Sequence, residues 1–75
     1  MLQYKIDILE ELKNKGYTPI KMRKEKILSE STIQKLRNNI IVSSDNIGRI
    51  CVMLKCQPGE ILESVPTDEE KIKYY

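Results

Sequence analysis

The feature that most constrains this chain is a 22-residue stretch, 18–39, which predicts a short helix, a tight turn and a second short helix. Thr18 is a suitable N-cap, and Pro19 follows it at the first helical position, where a missing N–H costs nothing. Ser29 is the next candidate N-cap, for a helix over about 29–38. The apolar residues expected to be buried by the pair are Met22, Leu28, Ile33 and Leu36. This pattern is typical of a helix-turn-helix, which places its second helix in the major groove of DNA.

The segments around this pair predict further short helices joined by brief connections. Residues 5–15 carry apolar side chains on one side, and Gly16 is a suitable C-terminal stop. Ile40–Val42 is too short to form a sheet by itself, so we expect a loop folded onto the core.

The second half of the chain predicts two more helices. Ser44 and Asp45 are the expected caps of a fourth helix, in which Gly48 suggests close packing. Its apolar stripe consists of Ile47, Ile50, Cys51 and Leu54. A last helical turn begins at 57–60 and contains Ile61 and Leu62. The expected fold is an all-α, compact five-helix bundle, with a domain over 1–66 and a flexible charged tail over 67–75.

Positive charge is concentrated on the predicted helix-turn-helix. The whole chain has a net charge of +2, but residues 13–39 contain eight Lys and Arg against two Glu, a net +6. Residues 1–12 and 40–75 each carry a net charge of −2. Such a distribution is the expected electrostatic footprint of a nucleic-acid partner. A solvated basic face without a ligand is the alternative interpretation.

Composition argues against catalysis and against a metal site. The chain has 75 residues and no histidine, so it lacks the commonest general base and metal ligand and has little material for a cleft. Cys51 and Cys56 lie five residues apart, without the spacing or the additional ligands of a zinc or redox site. We interpret both as buried small hydrophobic residues and predict no enzyme activity, cofactor, metal or small-molecule ligand.

No segment predicts secretion or membrane insertion. The N-terminal residues contain no uninterrupted apolar run, and no stretch approaches the roughly 20 apolar residues that span a bilayer. We therefore expect a soluble, cytoplasmic protein that does not interact with membranes.

The ordered series of these elements resembles the Cro/C1-type helix-turn-helix domain of the Xre family of bacterial and phage repressors. The resemblance extends over about 5–66, and its last part is similar to very small, single-domain members of that family. The residues that carry it are Leu9–Leu12, Gly16–Thr18, Leu28–Ser29, Ser31–Ile33, Leu36–Asn38, Ser44–Ile47, Ile50–Cys51 and Leu54–Leu62. The resemblance implies a lambda-repressor-like fold and a transcriptional regulator that binds DNA.

Three positions depart from the family pattern. Pro19 stands where the family usually has a glutamine that braces a phosphate and the recognition helix. Arg23 replaces a small residue at the closest approach of the two helices, so we expect its guanidinium in solvent or near a phosphate. Ile27 occupies a turn position that is often glycine.

The resemblance implies four base-reading side chains on the second helix of the pair: Glu30, Ser31, Gln34 and Lys35. A glutamine amide can pair with adenine, a lysine can donate to guanine, and a carboxylate can accept from cytosine. Alternatively, Glu30 only complements the helix dipole, while Gln34 and Lys35 are ordinary exposed helix residues.

A second set of residues is expected to hold phosphates and to set the position of the protein on the duplex. These residues are Thr18, Lys21, Arg23, Arg37, Asn38, Ser43 and Ser44. For Arg23 the alternative is a surface salt bridge with Glu25 or Glu30.

The first functional hypothesis is a sequence-specific regulator, a repressor or an activator of transcription, that occupies an operator in double-stranded DNA. One domain covers about half a turn of major groove, so we expect a homodimer. Candidate residues for pairing are Ile61, Leu62, Val65, Ile72, Tyr74 and Tyr75. The alternative is a protein-interaction module that retains the fold, such as the antitoxin of a toxin–antitoxin pair.

Overall fold

A computed structural model, which describes residues 1–75, contains six helices and two short strands. In chain order these are β1 Leu2–Tyr4, α1 Ile8–Asn14, α2 Pro19–Lys24, α3 Glu30–Arg37, α4 Ser44–Leu54, α5 Pro58–Ile61, β2 Leu62–Ser64 and α6 Asp68–Tyr74. The prediction of a helical fold is confirmed. The predicted number of five helices is wrong, because a sixth helix and a two-stranded sheet are also present.

Side-chain caps decide where the first four helices begin. Asp7, Thr18 and Ser29 each accept a hydrogen bond from the backbone N–H three residues later, all at 3.2 Å. Such bonds satisfy N–H groups that have no partner within the helix. The caps predicted at Thr18 and Ser29 are confirmed. For α4 the cap is Ser43 and not Ser44 or Asp45, since the Asn46 N–H donates to the Ser43 hydroxyl at 3.3 Å.

The core is formed by residues of α1, α3, α4 and α5, and α2 contributes Met22 to it. The four helix-turn-helix residues expected to be buried are all buried, and three of the four residues of the α4 stripe are as well. The buried apolar residues are Ile8, Leu12, Met22, Leu28, Ile33, Leu36, Val42, Ile47, Ile50, Cys51 and Ile61. The helices of the pair are therefore held in place by the same core that supports the rest of the domain.

The small sheet joins the two ends of the domain. Strands β1 and β2 are antiparallel, with Leu2 opposite Ser64 and Tyr4 opposite Leu62. Three-residue strands are too short to show an alternating pattern, so the sequence does not predict them. The predicted final turn also ends early, because Leu62 belongs to β2.

Helix α6 lies in the segment that was expected to be a tail. Thr67 and Glu70 form a capping box at its start, and the N-terminal ammonium of Met1 contacts the Glu70 carboxylate at 3.2 Å. None of its side chains is buried. Residues 68–74 are thus helical, although α6 has no buried residue and contributes nothing to the core.

Two glycines have different roles. Gly16 has a φ of 93°, which agrees with its predicted position at the end of α1. The close packing suggested for Gly48 is wrong, because a Cβ added there would meet no atom within 4 Å.

Candidate DNA-binding interface

The turn between α2 and α3 is fixed by backbone conformation and by a contact from α4. Lys26 adopts the left-handed conformation, with a φ of 55°, and the Ile27 N–H donates to the Met22 carbonyl at 2.9 Å. The Ile27 carbonyl accepts a hydrogen bond from Arg49 of α4 at 3.0 Å. Ile27 itself does not have a positive φ, so the glycine that the family often has there is not required by the backbone.

The two faces of α3 differ sharply in burial. Thr32, Ile33 and Leu36 are buried on the inner face. The Thr32 hydroxyl is hydrogen-bonded to Ser29 at 2.9 Å and accepts from the Asn46 amide of α4 at 3.2 Å. The inner face thus combines apolar packing with a satisfied polar contact, which limits rotation of the helix against its neighbours.

All four predicted base-reading residues lie on the outer, exposed face of α3 or at its start. The Lys35 ammonium has no protein partner, and the Ser31 hydroxyl lies 3.1 Å from that of Ser29. The structure therefore leaves these side chains accessible, as a recognition helix requires.

Glu30 and Gln34 are not independent of each other. Gln34 donates from Nε2 to Glu30 Oε1 at 3.0 Å. On the other side, Arg23 of α2 donates from Nε to Glu30 Oε2 and from a terminal nitrogen to Oε1. These bonds, first that from Gln34 and then that from Arg23, hold the pKa of the Glu30 carboxyl below its usual value. For Arg23 the sequence left open a phosphate contact and a salt bridge with Glu25 or Glu30. The structure contains the salt bridge with Glu30.

The predicted phosphate-contacting residues are also all exposed. Thr18 and Ser43 serve as caps, and each uses its oxygen as an acceptor, so the hydroxyl hydrogen remains free to donate. Thr18 and Arg37 line one shallow depression together with Lys13 and Asn39. Lys21 lies over the ring of Tyr17, with Nζ 5.5 Å from its centroid.

Two acidic residues border the same depression. Asp7 caps α1, and Glu10 lies in its first turn. Their carboxylates partly offset the positive charge of Lys13 and Arg37. Lys13 is a cation that the sequence analysis assigned no role, although it belongs to the positively charged segment 13–39.

Tyr4 positions the loop that follows α3, a role that the sequence analysis missed. Its hydroxyl donates to the Ile40 carbonyl at 2.9 Å and accepts from the Val42 N–H at 3.1 Å. Burial raises the pKa of this phenol, and the hydrogen bond from Val42 partly opposes that shift. No local pattern indicates this contact, because Tyr4 and Ile40 are 36 residues apart.

The cysteines and acidic residues do not cluster as ligands of a metal ion. Cys51 is buried and Cys56 is partly buried, and both are free thiols. Burial, and then the neighbouring Cys51, raises the pKa of the Cys56 thiol. No group of three or more Cys, Asp and Glu side chains is arranged to hold a metal ion. None of the helices is long and apolar enough to cross a bilayer.

Comparison with protein families agrees with this geometry. A family model described as the Cro/C1-type HTH DNA-binding domain matches residues 7–67. The chain belongs to this family. Among curated proteins no match is found, and none is found among solved structures. Membership of the Cro/C1-type family supports DNA binding and a role in transcription regulation, and the matched range includes both α2 and α3.

Proposed function

We propose that this Cro/C1-type domain is a sequence-specific repressor that inserts α3 into the major groove of its operator. The observation that carries the proposal is the exposed outer face of α3, which is supported from behind by the core and by Asn46. A rigid helix with accessible polar side chains meets the geometric requirement for reading base edges.

The side chains on this face match the chemistry of base edges. The Gln34 amide has a donor and an acceptor that can pair with N7 and N6 of adenine. The Lys35 ammonium is exposed and can donate to O6 and N7 of guanine. Ser31 can donate to a base or to a phosphate. Each good base contact contributes about 1–3 kcal/mol of discrimination.

Groups around α3 can hold the phosphates that flank the bases. Thr18 and Ser43 retain free hydroxyl hydrogens, and the α2 and α4 N-termini that they cap carry partial positive charge. Arg37 and Lys21 add full charges, and Asn38 and Ser44 add polar groups. Such contacts orient the protein without reading the sequence.

Selection of bound duplexes from a random pool, at a stated salt concentration, tests the proposal. We expect a defined half-site to be enriched, because the base contacts of α3 favour particular sequences. Recovery of duplexes without any shared sequence would refute the sequence-specific function.

Substitutions separate the two classes of contact. Gln34→Ala and Lys35→Ala should each lower affinity for the selected site by about 1–3 kcal/mol and relax the preference at one position. Arg37→Ala should weaken binding to all duplexes alike and lower the salt slope by about 1. Equal losses on selected and unrelated duplexes for all three variants would refute the assignment of roles.

We further propose that two copies bind together, on half-sites about 34 Å apart. Ile61 cannot contribute to pairing, because it is 1% exposed and belongs to the core. The other candidates remain accessible; they are Leu62, Val65, Ile72, Tyr74 and Tyr75. Sedimentation analysis with and without the selected duplex tests this proposal, and a monomer under both conditions would refute it.

The same titrations distinguish a DNA-binding protein from a protein-interaction module with this fold. A steep fall in duplex affinity with rising salt is expected when phosphates are neutralised by Lys and Arg. Absence of any duplex binding at low salt, together with stoichiometric binding of a co-purified protein, would favour the interaction module.

A further inference from the structure

The structure contains a hydrogen-bonded chain of three side chains across the helix-turn-helix. It runs from Arg23 of α2 through Glu30, the first residue of α3, to Gln34 one turn later. Arg23 and Gln34 both donate to the carboxylate of Glu30, and all three side chains are exposed. The central residue therefore links α2 to a side chain on the outer face of α3.

The chemistry of a carboxylate determines how the Gln34 amide is oriented. An ionised carboxylate only accepts hydrogen bonds, so it pairs with the NH₂ group of a neighbouring amide and repels the carbonyl oxygen. Since the amide donates to Glu30, its carbonyl oxygen and its second N–H stay free. One acceptor beside one donor is the pattern that matches the N6 and N7 atoms of adenine, whereas guanine presents two acceptors.

We propose that Glu30 is a positioning residue that makes Gln34 select adenine over guanine, and that Arg23 holds Glu30 in place for this purpose. The inference rests on the proposed function, because it assigns a role within the same recognition helix. Glu30 then acts through Gln34. This differs from the role predicted from the sequence, in which the Glu30 carboxylate itself accepts a hydrogen bond from cytosine.

Arg23 is suited to this role because its planar guanidinium contacts both carboxylate oxygens, which fixes the plane of the carboxylate. The positive charge also offsets the negative charge of Glu30 close to the expected position of the DNA backbone. Pro19 has no polar side-chain atom to bridge α2 and α3. The pair formed by Arg23 and Glu30 makes that connection instead.

The test compares duplex selections for the wild type and for Glu30→Ala, Gln34→Ala and the double variant, all at one salt concentration. We expect Gln34→Ala to abolish a preference for adenine at one position. Glu30→Ala should reduce adenine-over-guanine discrimination at that same position about tenfold, since a bidentate pair provides discrimination of this order. In the Gln34→Ala background, removal of Glu30 should change nothing further at that position.

Arg23→Ala should reduce the same preference, and Lys24→Ala is its matched control. Lys24 is an exposed cation on the same helix and makes no hydrogen bond to Glu30, so its removal should leave the base preference unchanged. Thermal unfolding of each variant checks that the fold is retained.

A measurement without DNA provides an independent readout. The side-chain amide resonances of Gln34 in ¹⁵N–¹H spectra should shift in Glu30→Ala and in Arg23→Ala, but not in Lys24→Ala. Unchanged resonances would overturn the inference.

Different results would refute the positioning role of Glu30 and the binding of DNA by α3. If Glu30→Ala alters a cytosine preference at a position other than that of Gln34, Glu30 is a base reader and the positioning role is refuted, while DNA recognition stands. If the wild type binds no duplex at all, both proposals are refuted.

Discussion

Removal of one hydroxyl, in Tyr4→Phe, should destabilise the whole domain. The Tyr4 hydroxyl joins the N-terminal strand to the loop after α3, through the Ile40 carbonyl and the Val42 N–H. Val42 is 6% exposed, and its N–H has no other partner. The substitution therefore removes two hydrogen bonds and leaves a buried donor unsatisfied.

The magnitude follows from these contacts. A hydrogen bond contributes about 0.5–1.5 kcal/mol net, and an unsatisfied buried donor costs about 1–3 kcal/mol, so we expect a loss of about 2 kcal/mol. For a domain of this size, about 2 kcal/mol lowers Tm by about 8–16 °C. Urea unfolding and thermal unfolding, both followed by circular dichroism, measure these quantities.

The pH dependence of stability provides a second test of the same contact. Because the pKa of Tyr4 is raised in the folded protein, the native state retains the phenolic proton more strongly than the unfolded chain does. The stabilisation contributed by the Tyr4 phenol is fully present below the pKa that it has in the unfolded chain. This stabilisation is lost as the pH rises through its higher pKa in the folded protein. The wild type should therefore lose part of its stability above about pH 10, relative to Tyr4→Phe.

Tyr74→Phe is the matched control, because the Tyr74 side chain is 71% exposed and its hydroxyl makes no hydrogen bond. It should unfold like the wild type and retain the same alkaline loss of stability. The reasoning is refuted if Tyr4→Phe changes the free energy of unfolding by less than about 0.5 kcal/mol, the usual range of a neutral surface substitution. It is also refuted if Tyr4→Phe and Tyr74→Phe lower the free energy of unfolding by the same amount.

Four further substitutions test other parts of the structure. Ile33→Ala should lower the free energy of unfolding in urea by about 2–5 kcal/mol, since Ile33 of α3 is fully buried in the core; a cost below about 1 kcal/mol would contradict this packing. Gly48→Ala should raise the free energy of unfolding by about 0.5–1 kcal/mol, because an added methyl meets no atom and alanine favours the helix; a loss of stability would show an unrecognised contact. Lys26→Gly should stabilise by up to about 1 kcal/mol, since lysine is strained at a φ of 55°, although glycine gains entropy in the unfolded chain. The pKa of Glu70 is lowered by the Thr67 N–H and then by the N-terminal ammonium, so its contribution to α6 should fade as the pH falls through that lowered pKa. Amide exchange should show less protection in α6 for Glu70→Gln than for the wild type, because the substitution removes the negative charge that pairs with the N-terminal ammonium. Unchanged protection would mean that this ion pair does not stabilise the helix.

Amide exchange also tests the proposed division of the chain at residue 66. No side chain of α6 is buried, so its amides should exchange faster than those of α3. Equal protection of both helices would mean that 67–75 unfolds together with the domain.

The local features of this fold could be predicted from the sequence. Thr18 and Ser29 cap their helices through bonds to N–H groups three residues away, and the burial of Ile33 and Leu36 follows from helical spacing. The exposure of Gln34 follows from the same periodicity. All of these depend on neighbours within one helical turn, so a single sequence contains the information.

Two other local predictions, the cap of α4 and the packing around Gly48, were wrong because the local sequence is compatible with two different structures in each case. Ser43 and Ser44 are both good caps, and only the path of the preceding loop places Ser43 at the start of α4. Gly48 is compatible with close packing or with an open surface, and the surroundings of α4 leave it open.

The sequence by itself determined the helix-turn-helix, because caps and apolar periodicity act over three or four residues. Tertiary structure decided what is separated along the chain: the pairing of Leu2 with Ser64, the bonds of Tyr4 to the 40–42 loop, and the choice of Glu30 as the partner of Arg23. These contacts depend on how the helices pack around the core. Their partners can be identified only when the relative positions of the elements are known.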